Sequence, residues 1–566
     1  MFTKINKDMK KLILLCVIMV SAALQTSAQT PEALWGKAVQ SAGTSMGNDI
    51  KMASDGNLFI AGDAGTKTVD DEIYFGEEAV AAPQTDYRGN GDNSNGNLFI
   101  TKVTPDGTHL WTVFSKYGDA AGSKAYLQPV SDGVVAFVAI RHAVGHGGSS
   151  VSIVDAAKQE TSLEWTLAGG DADSHRYFIG LVMKLSNEGH IQWIRTLKPT
   201  DTASSEAFSP SGIVADEGGN LWIGGTLKKE MSFPTAGGDE VKIAPQAGSD
   251  DLLLAKFSQD GYYLQNVQMT GAQKTTVMYI TSADNKLYVS GMLTAAAGSD
   301  VTFGGKSATI ENAFTCMYVA ALNSDFSAEF FQPLTAYDKN FSSNIANIYV
   351  GSDYLWMSCK VGGNIKTVND KLLSAENWTR VGMLLKLEKN SGRLLDGYVL
   401  GYGQQGVGTN QGGFFAAFEA TDGFLYAAEH QLNDRMSIQK FSKDNLEAPA
   451  GSWDKMLTYT ANVHGIVVAD DGKLFTLTRS IKLAATDNPN DYLNYLYGGN
   501  VAVVQSSKAF SCNLCAFQLP VLPVSGISDI IRDSNDGGAW YNLRGQRITV
   551  PSHGIYIHNG KKMVVK

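Results

Sequence analysis

The sequence predicts an all-β fold: a seven-bladed β-propeller closed by an N-terminal strand and followed by a small C-terminal β appendage. Three observations predict it. A strand–turn–strand unit with Asp-Gly-like turns recurs seven times, a second such unit alternates with it, and the repeat region starts and stops half a unit out of phase. A repeat of about 69 residues without helical periodicity is the pattern of a radial array of small sheets.

The chain opens with "MFTKINKDMKKLILLCVIMVSAALQTSAQT". Four lysines precede an apolar run from Leu12 to Leu24, and small residues near Ala28 offer a cleavage site, so residues 1–28 are expected to be a secretory signal peptide. Cys16 lies inside the apolar run, not at its end, which argues for ordinary cleavage over a lipid anchor. No other apolar stretch reaches 18 residues, so no transmembrane segment is expected in the mature chain. Losing four lysines and one aspartate would take the formal charge from −10 to −13. That balance excludes a nucleic-acid partner, which needs a basic stripe.

"EALWGKAVQ" (32–40) follows as a lone strand. The first repeated hairpin then reads "DIKMASDGNLFIAG" (49–62), and it returns at 125–140, 212–225, 277–291, 345–359, 415–429 and 464–478. Alternating apolar residues on either side of Asp-Gly or Asn-Gly-like turns are the hairpin signal. The second hairpin reads "NLFITKVTPDGTHLWTVFSKYG" (97–118) and returns at 178–197, 251–268, 316–333, 381–399 and 436–449. Each blade is therefore expected to hold four strands, A to D. A seventh C strand begins in "NVAVVQSSKAF" (500–510) and has no D partner after it. Trp35 stands where Trp111 and Trp193 stand in complete D strands, so residues 33–40 are expected to supply the missing strand and close the ring. The propeller is thus assigned residues 29–510. These repeats resemble the β-propeller repeats of exported bacterial proteins, with their "DGN(L/V)(Y/F)(I/V)xG" element and a lysine in the following strand. The resemblance implies the fold and leaves function open.

Residues 511–540 read as a Pro/Gly/Ser/Asp linker. "SCNLC" within it places Cys512 and Cys515 in a C-x-x-C without a thioredoxin-like βαβ context, so a local disulfide or two inert thiols is expected. From Tyr541 to Lys566 the tail carries five basic residues and no acid, in alternating strands broken by glycine turns. It resembles the C-terminal sorting domain of type IX secretion cargo in Bacteroidetes. Tyr541, Leu543, Gly545, Arg547, Gly554, Tyr556, Gly560, Lys561, Lys562 and Lys566 carry the likeness. The resemblance implies recognition by the secretion machinery, passage across the outer membrane and a surface or extracellular location.

A–B and C–D turns are short, so one face of the ring is plain. The other face gathers the long connections 63–96, 141–176, 227–250, 292–313, 360–380 and 479–499, where recognition is expected. Trp165 and Trp378 lie in those loops and offer apolar faces for stacking on sugars. Asp49 and His464 begin A strands and are expected near the channel mouth, where a carboxylate and an imidazole serve proton transfer. His142, His146 and His175 lie among glycines that oppose a helix, and "NGDNSNGN" (90–97) has Thr101 where a calcium loop needs its glutamate, so neither metal nor cofactor is expected. No nucleophile elbow, phosphate loop or zinc-protease motif is present. The expected function is binding or adhesion, recognising a glycan or surface protein through the long-loop face. A glycan hydrolase or lyase using carboxylates such as Asp49 and Glu419, and a structural envelope component, stand as alternatives.

Overall fold

The computed structural model describes residues 31–41, 45–65, 71–82, 96–116, 118–119, 125–142, 150–164, 178–200, 207–246, 250–338, 341–375, 381–400, 413–431, 435–458, 460–481, 510–523, 540–542, 547–548, 554–558 and 561–565. Every regular element among them is a strand, and every ladder is antiparallel. Seven small sheets form a seven-bladed β-propeller, each built from four strands in chain order from the channel outward. Blade 3 shows the plan: Phe208–Ala215, Leu221–Leu227, Asp251–Phe257 and Tyr263–Val267. Blade 7 is composite. Thr460–Val468, Lys473–Ile481 and Phe510–Gln518 come from the end of the repeat region, and Glu32–Gln40 from its start. The opening strand runs antiparallel to Phe510–Gln518 from Glu32↔Gln518 to Val39↔Cys512, which closes the ring.

That pairing moves a boundary. The seventh C strand is Phe510–Gln518, not the run around 500–510, so the propeller extends past residue 510 into the stretch read as linker. Leu519 N–H then donates to Gly472 O, and Thr421 N–H to Leu522 O, which holds the chain on blades 6 and 7 as far as Pro523. A strand buried on both faces has no polar alternation, and the two cysteines obscured it. They answer the disulfide question too. Three residues apart in a strand, they point to opposite faces. Cys512 packs between blades 7 and 1 and Cys515 between blades 6 and 7, and both are free thiols, as are Cys316 and Cys359. The local disulfide is excluded and the inert-thiol alternative holds.

The core lies between blade faces, in five clusters of buried apolar side chains. Two recurring locks on the turn side join and brace the blades. In the first, the D-strand tryptophan packs on the C–D turn glycine of the next blade. Trp35 meets Gly107, Trp111 meets Gly189 and Trp193 meets Gly261, with Phe330 against Gly392 farther round. The indole N–H groups of Trp35 and Trp111 donate to Pro105 O (3.0 Å) and Asn187 O (2.8 Å). The composite blade thus uses the same contact as its neighbours. In the second, the C-strand lysine reaches the aspartate of its own A–B turn. The pairs are Lys102–Asp55 (2.7 Å), Lys184–Asp132 (2.8 Å), Lys256–Asp216 (2.9 Å) and Lys440–Asp422 (2.8 Å). Lys102, Lys256 and Lys440 also lie over the B-strand rings of Phe59, Trp222 and Tyr426. The turn aspartate, the aromatic after it and the distant lysine, met as separate features in the sequence, form one unit.

Each long B–C connection of blades 1 to 5 carries a β-hairpin directed at the outer edge of the preceding blade. Ile73–Phe75 pairs with the closing strand at Val39↔Phe75, Ser150–Val154 with the D strand of blade 1 at Ile153↔Ser115, and Met231–Pro234 with that of blade 2 at Lys198↔Ser232. Single bridges, Thr270↔Thr302 and Ala336↔Ile365, join the next two hairpins to the chain leaving the D strands of blades 3 and 4. Outer edges with unpaired N–H and C=O groups invite association, and these hairpins cover them. The described parts of these loops therefore serve as edge cover, a role their sequences did not announce. Connection 479–499 lies outside the described residues beyond Ile481.

Residues 525–566 form a second unit. Its described strands make one antiparallel sheet in the order Arg547–Ile548, Trp540–Asn542, Gly554–His558, Lys561–Val565. Of the tail residues singled out above, Tyr541, Arg547, Gly554, Tyr556, Lys561 and Lys562 lie in these strands; Leu543, Gly545, Gly560 and Lys566 lie outside the described residues.

Candidate functional site

With one face taken up by blade locks and the described hairpins by edge cover, the channel wall remains. It is built by the seven A strands, each with one unpaired edge toward the axis. Six of them carry a β-bulge: between Gly47 and Asp49, Pro210 and Gly212, Val277 and Tyr279, Phe414 and Ala416, and Val463 and Gly465 at one level, and between Ser343 and Ile345 two residues farther from the A–B turn. Over its described residues, 125–130, the A strand of blade 2 pairs without one. A bulge turns the local strand and re-aims its side chains, and bulges concentrate beside functional sites.

The sequence carried a signal for this ring that went unread. The glycine ending the "DGNLFIAG" element lies opposite the bulge. A Cβ on Gly62 would sit 2.2 Å from Met46 O, on Gly225 2.7 Å from Ser209 O, and on Gly291 1.8 Å from Thr276 O. At these three positions the bulge pushes a carbonyl into the space a side chain needs; opposite the bulges of blades 5, 6 and 7 stand Val361, Glu429 and Thr478 instead.

The residue after each bulge faces the next blade. At Gly465 and Gly212 that space is filled by Ile50 and Ile280 of the following A strands. Asp49 holds the same position in blade 1, next to blade 2. Its Oδ2 accepts the Leu127 N–H of blade 2 (2.9 Å) and its Oδ1 the Ile50 N–H (2.9 Å). Lys51 Nζ stands 3.4 Å from Oδ1. Burial holds the Asp49 carboxyl above the usual range against the opposing pull of Lys51. Asp49 in turn raises the Lys51 ammonium, with a smaller contribution from Tyr279 of blade 4. Burial and the Asp49 charge push the Tyr126 phenol up. Asp49, Lys51, Tyr126 and Tyr279 thus form one electrostatic group spanning three blades.

His464 is the bulged residue of blade 7. Its Nε2 is buried without a hydrogen-bond partner, and burial with the neighbouring Arg479 charge lowers its pKa to about 4, so it is neutral at physiological pH. Asp49 and His464 lie on adjacent A strands at the level of the bulges, in mid-strand rather than at the strand starts. The structure does not join them as an acid–base pair: the carboxylate is directed to blade 2, and the imidazole lies by Arg479 of its own blade. Glu419 is farther still from the long-loop mouth. It ends its A strand at the A–B turn of blade 6, is 1% exposed, and accepts from Trp356 Nε1 (3.2 Å) and Ser352 Oγ (2.9 Å), with Lys443 Nζ 3.5 Å away. It ties blade 6 to blade 5. Trp165 and Trp378, with His146 and His175, lie outside the described residues, and His142 is placed only as the last residue of a strand. Among the described residues no three His, Cys, Asp or Glu side chains group to hold a metal.

Fold and site define the chain as a closed seven-bladed β-propeller with a bulge-ringed channel. No family model matches the sequence, and no curated protein does. Solved structures resemble it distantly. A lignostilbene dioxygenase from Pseudomonas brassicacearum is 12% identical, over 74% of this chain and 89% of that one, with a TM-score of 0.32. A mannose phosphorylase from Leishmania mexicana is 9% identical over 77% and 97%, with a TM-score of 0.26. A luciferin-regenerating enzyme is 9% identical over 62% and 90%, with a TM-score of 0.28.

Proposed function

We propose that this chain is an exported binding propeller that takes a glycan into the central channel from the face of the long connections. The observation that carries the reading is the ring of bulges. It turns six inner strands, and beside the bulge of blade 1 stands a partly exposed lysine, Lys51, acted on by Asp49 and by Tyr279 of blade 4. Saccharides are bound through such mixtures of ring faces and hydrogen-bonding groups. Asp49 and Glu419, the carboxylates that suit a hydrolase best, are both committed to hydrogen bonds between blades, which favours binding over hydrolysis.

Export rests on the N-terminal leader and on the likeness of the tail to a type IX sorting domain. A sheet as small as the C-terminal one needs a partner to be stable, which suits a segment that is handed to secretion machinery. Deleting residues 541–566 is expected to leave the protein in the periplasm; unchanged surface exposure would remove the tail from the proposal. For the binding reading the test is a thermal-shift screen of the purified protein against oligosaccharides. A ligand at 100 times its Kd stabilises by about 2.7 kcal/mol. No shift with any saccharide would overturn the reading, and breakdown of a bound one would replace binding with catalysis.

A further inference from the structure

We infer that the channel holds an anion site on Lys51, suited to the acidic group of an anionic saccharide. The inference deepens the glycan reading above and rests on it. Lys51 follows Asp49 by two residues on the inner strand of blade 1, so both lie on the same side of that strand. The lysines of the A–B turn locks approach their aspartates to between 2.7 and 2.9 Å, whereas Lys51 Nζ stands 3.4 Å from Asp49 Oδ1. Its side chain is 37% exposed, against 4% to 30% for the four lock lysines.

Asp49 is already occupied by two backbone N–H groups, so it keeps Lys51 charged without enclosing it. An ammonium has three donors, and this geometry leaves room for an incoming anion. Lys51 lies opposite Phe59, and opposite the corresponding aromatic residues of the other bulged blades stand Val214, Thr281, Tyr349, Phe418 and Val467, so Lys51 is the one cation at this level of the bulged strands. The groups that act on it are Asp49 and Tyr279 of blade 4, and Tyr126 of blade 2 lies by Asp49. Tyr279 supplies an O–H donor and a ring face near the charge. A partly exposed ammonium beside a tyrosine suits a sugar that bears a carboxylate or a sulfate.

The test is calorimetric titration of the purified protein with hyaluronan oligosaccharides, heparin oligosaccharides and carboxyl-reduced hyaluronan oligosaccharides as the neutral counterpart. At least tenfold tighter binding of an acidic ligand than of the neutral one is expected, and the two acidic ligands separate carboxylate from sulfate recognition. Lys51→Met should bring the acidic ligand down to the neutral affinity, while Lys51→Arg should keep it within about threefold. Should Lys51→Met fail to fold, salt provides the second reading in wild type: added NaCl should weaken the acidic ligand and leave the neutral one unchanged. Equal affinity for acidic and neutral ligands, or an undiminished preference in folded Lys51→Met, would overturn the anion site and leave glycan binding standing. Absence of binding by every saccharide would overturn both.

Discussion

Replacing Glu419 by glutamine tests whether this carboxylate is a structural tie or a working group. The substitution keeps the volume and one acceptor oxygen but turns the other oxygen into an N–H donor. Trp356 Nε1 and Ser352 donate into the two oxygens, with Lys443 beside them at 3.5 Å. Turned toward Trp356 the amide N–H meets the indole donor; turned toward Ser352 it meets the backbone N–H of that residue, while the hydroxyl can turn to accept. An unsatisfied buried group costs about 1–3 kcal/mol, and loss of the charge partner of the half-buried Lys443 adds to it, giving roughly 2–4 kcal/mol. Unfolding entropy near 2 cal/mol/K per residue makes each kcal/mol worth about 1 °C in a ring of this size, so calorimetry should record a Tm lower by roughly 2–4 °C. The exposed Glu217→Gln is the control and should stay within ~0.5 kcal/mol of wild type. Saccharide binding should be unaltered in Glu419→Gln. A variant as stable as wild type that has lost function would refute the assignment and return Glu419 to the list of functional groups.

Gly291→Ala places a Cβ 1.8 Å from Thr276 O, so the bulge must shift; a loss of several kcal/mol is expected, against little change for Gly451→Ala, which has open space. Equal melting of the two variants would contradict the account of the bulges. Burial pushes Cys316, Cys359 and Cys515 up to about 12, and Cys512 further. None of these four should react with a thiol reagent at pH 8 before denaturation, and all four should react afterwards; mass spectrometry showing Cys512 bridged to Cys515 would contradict the placement of that strand. His464 is held near 4 against an ordinary 6.5, so the unfolded chain binds a proton that the folded chain refuses between those values. Its contribution is complete above pH 6.5 and is lost as pH falls toward 4, on the order of 3 kcal/mol. His464→Gln should therefore lose less stability than wild type over that window, and parallel pH profiles would rule the buried neutral imidazole out.

Blade number, strand order and ring closure were legible in the sequence because propeller repeats are local. Each hairpin announces itself through period-two alternation and a Gly or Asp turn, and Trp35 marked the opening strand as a displaced D strand. Short turns on one side of the ring and long connections on the other were legible too, but the locks between the turns and the edge cover made by the connections were not. What depended on distance along the chain was not legible. The seventh C strand, apolar on both faces, lacked the alternation that identifies strands. The hairpins at 73–81 and 231–243 read as free loops because their partners, Val39 and Lys198, belong to other blades. The hydrogen bond from the Leu127 N–H to Asp49 spans 78 residues and joins two blades, a distance no local pattern covers. Period and turn chemistry are written residue by residue; the contacts between blades, and the charges they bring together, exist only once the blades are packed side by side.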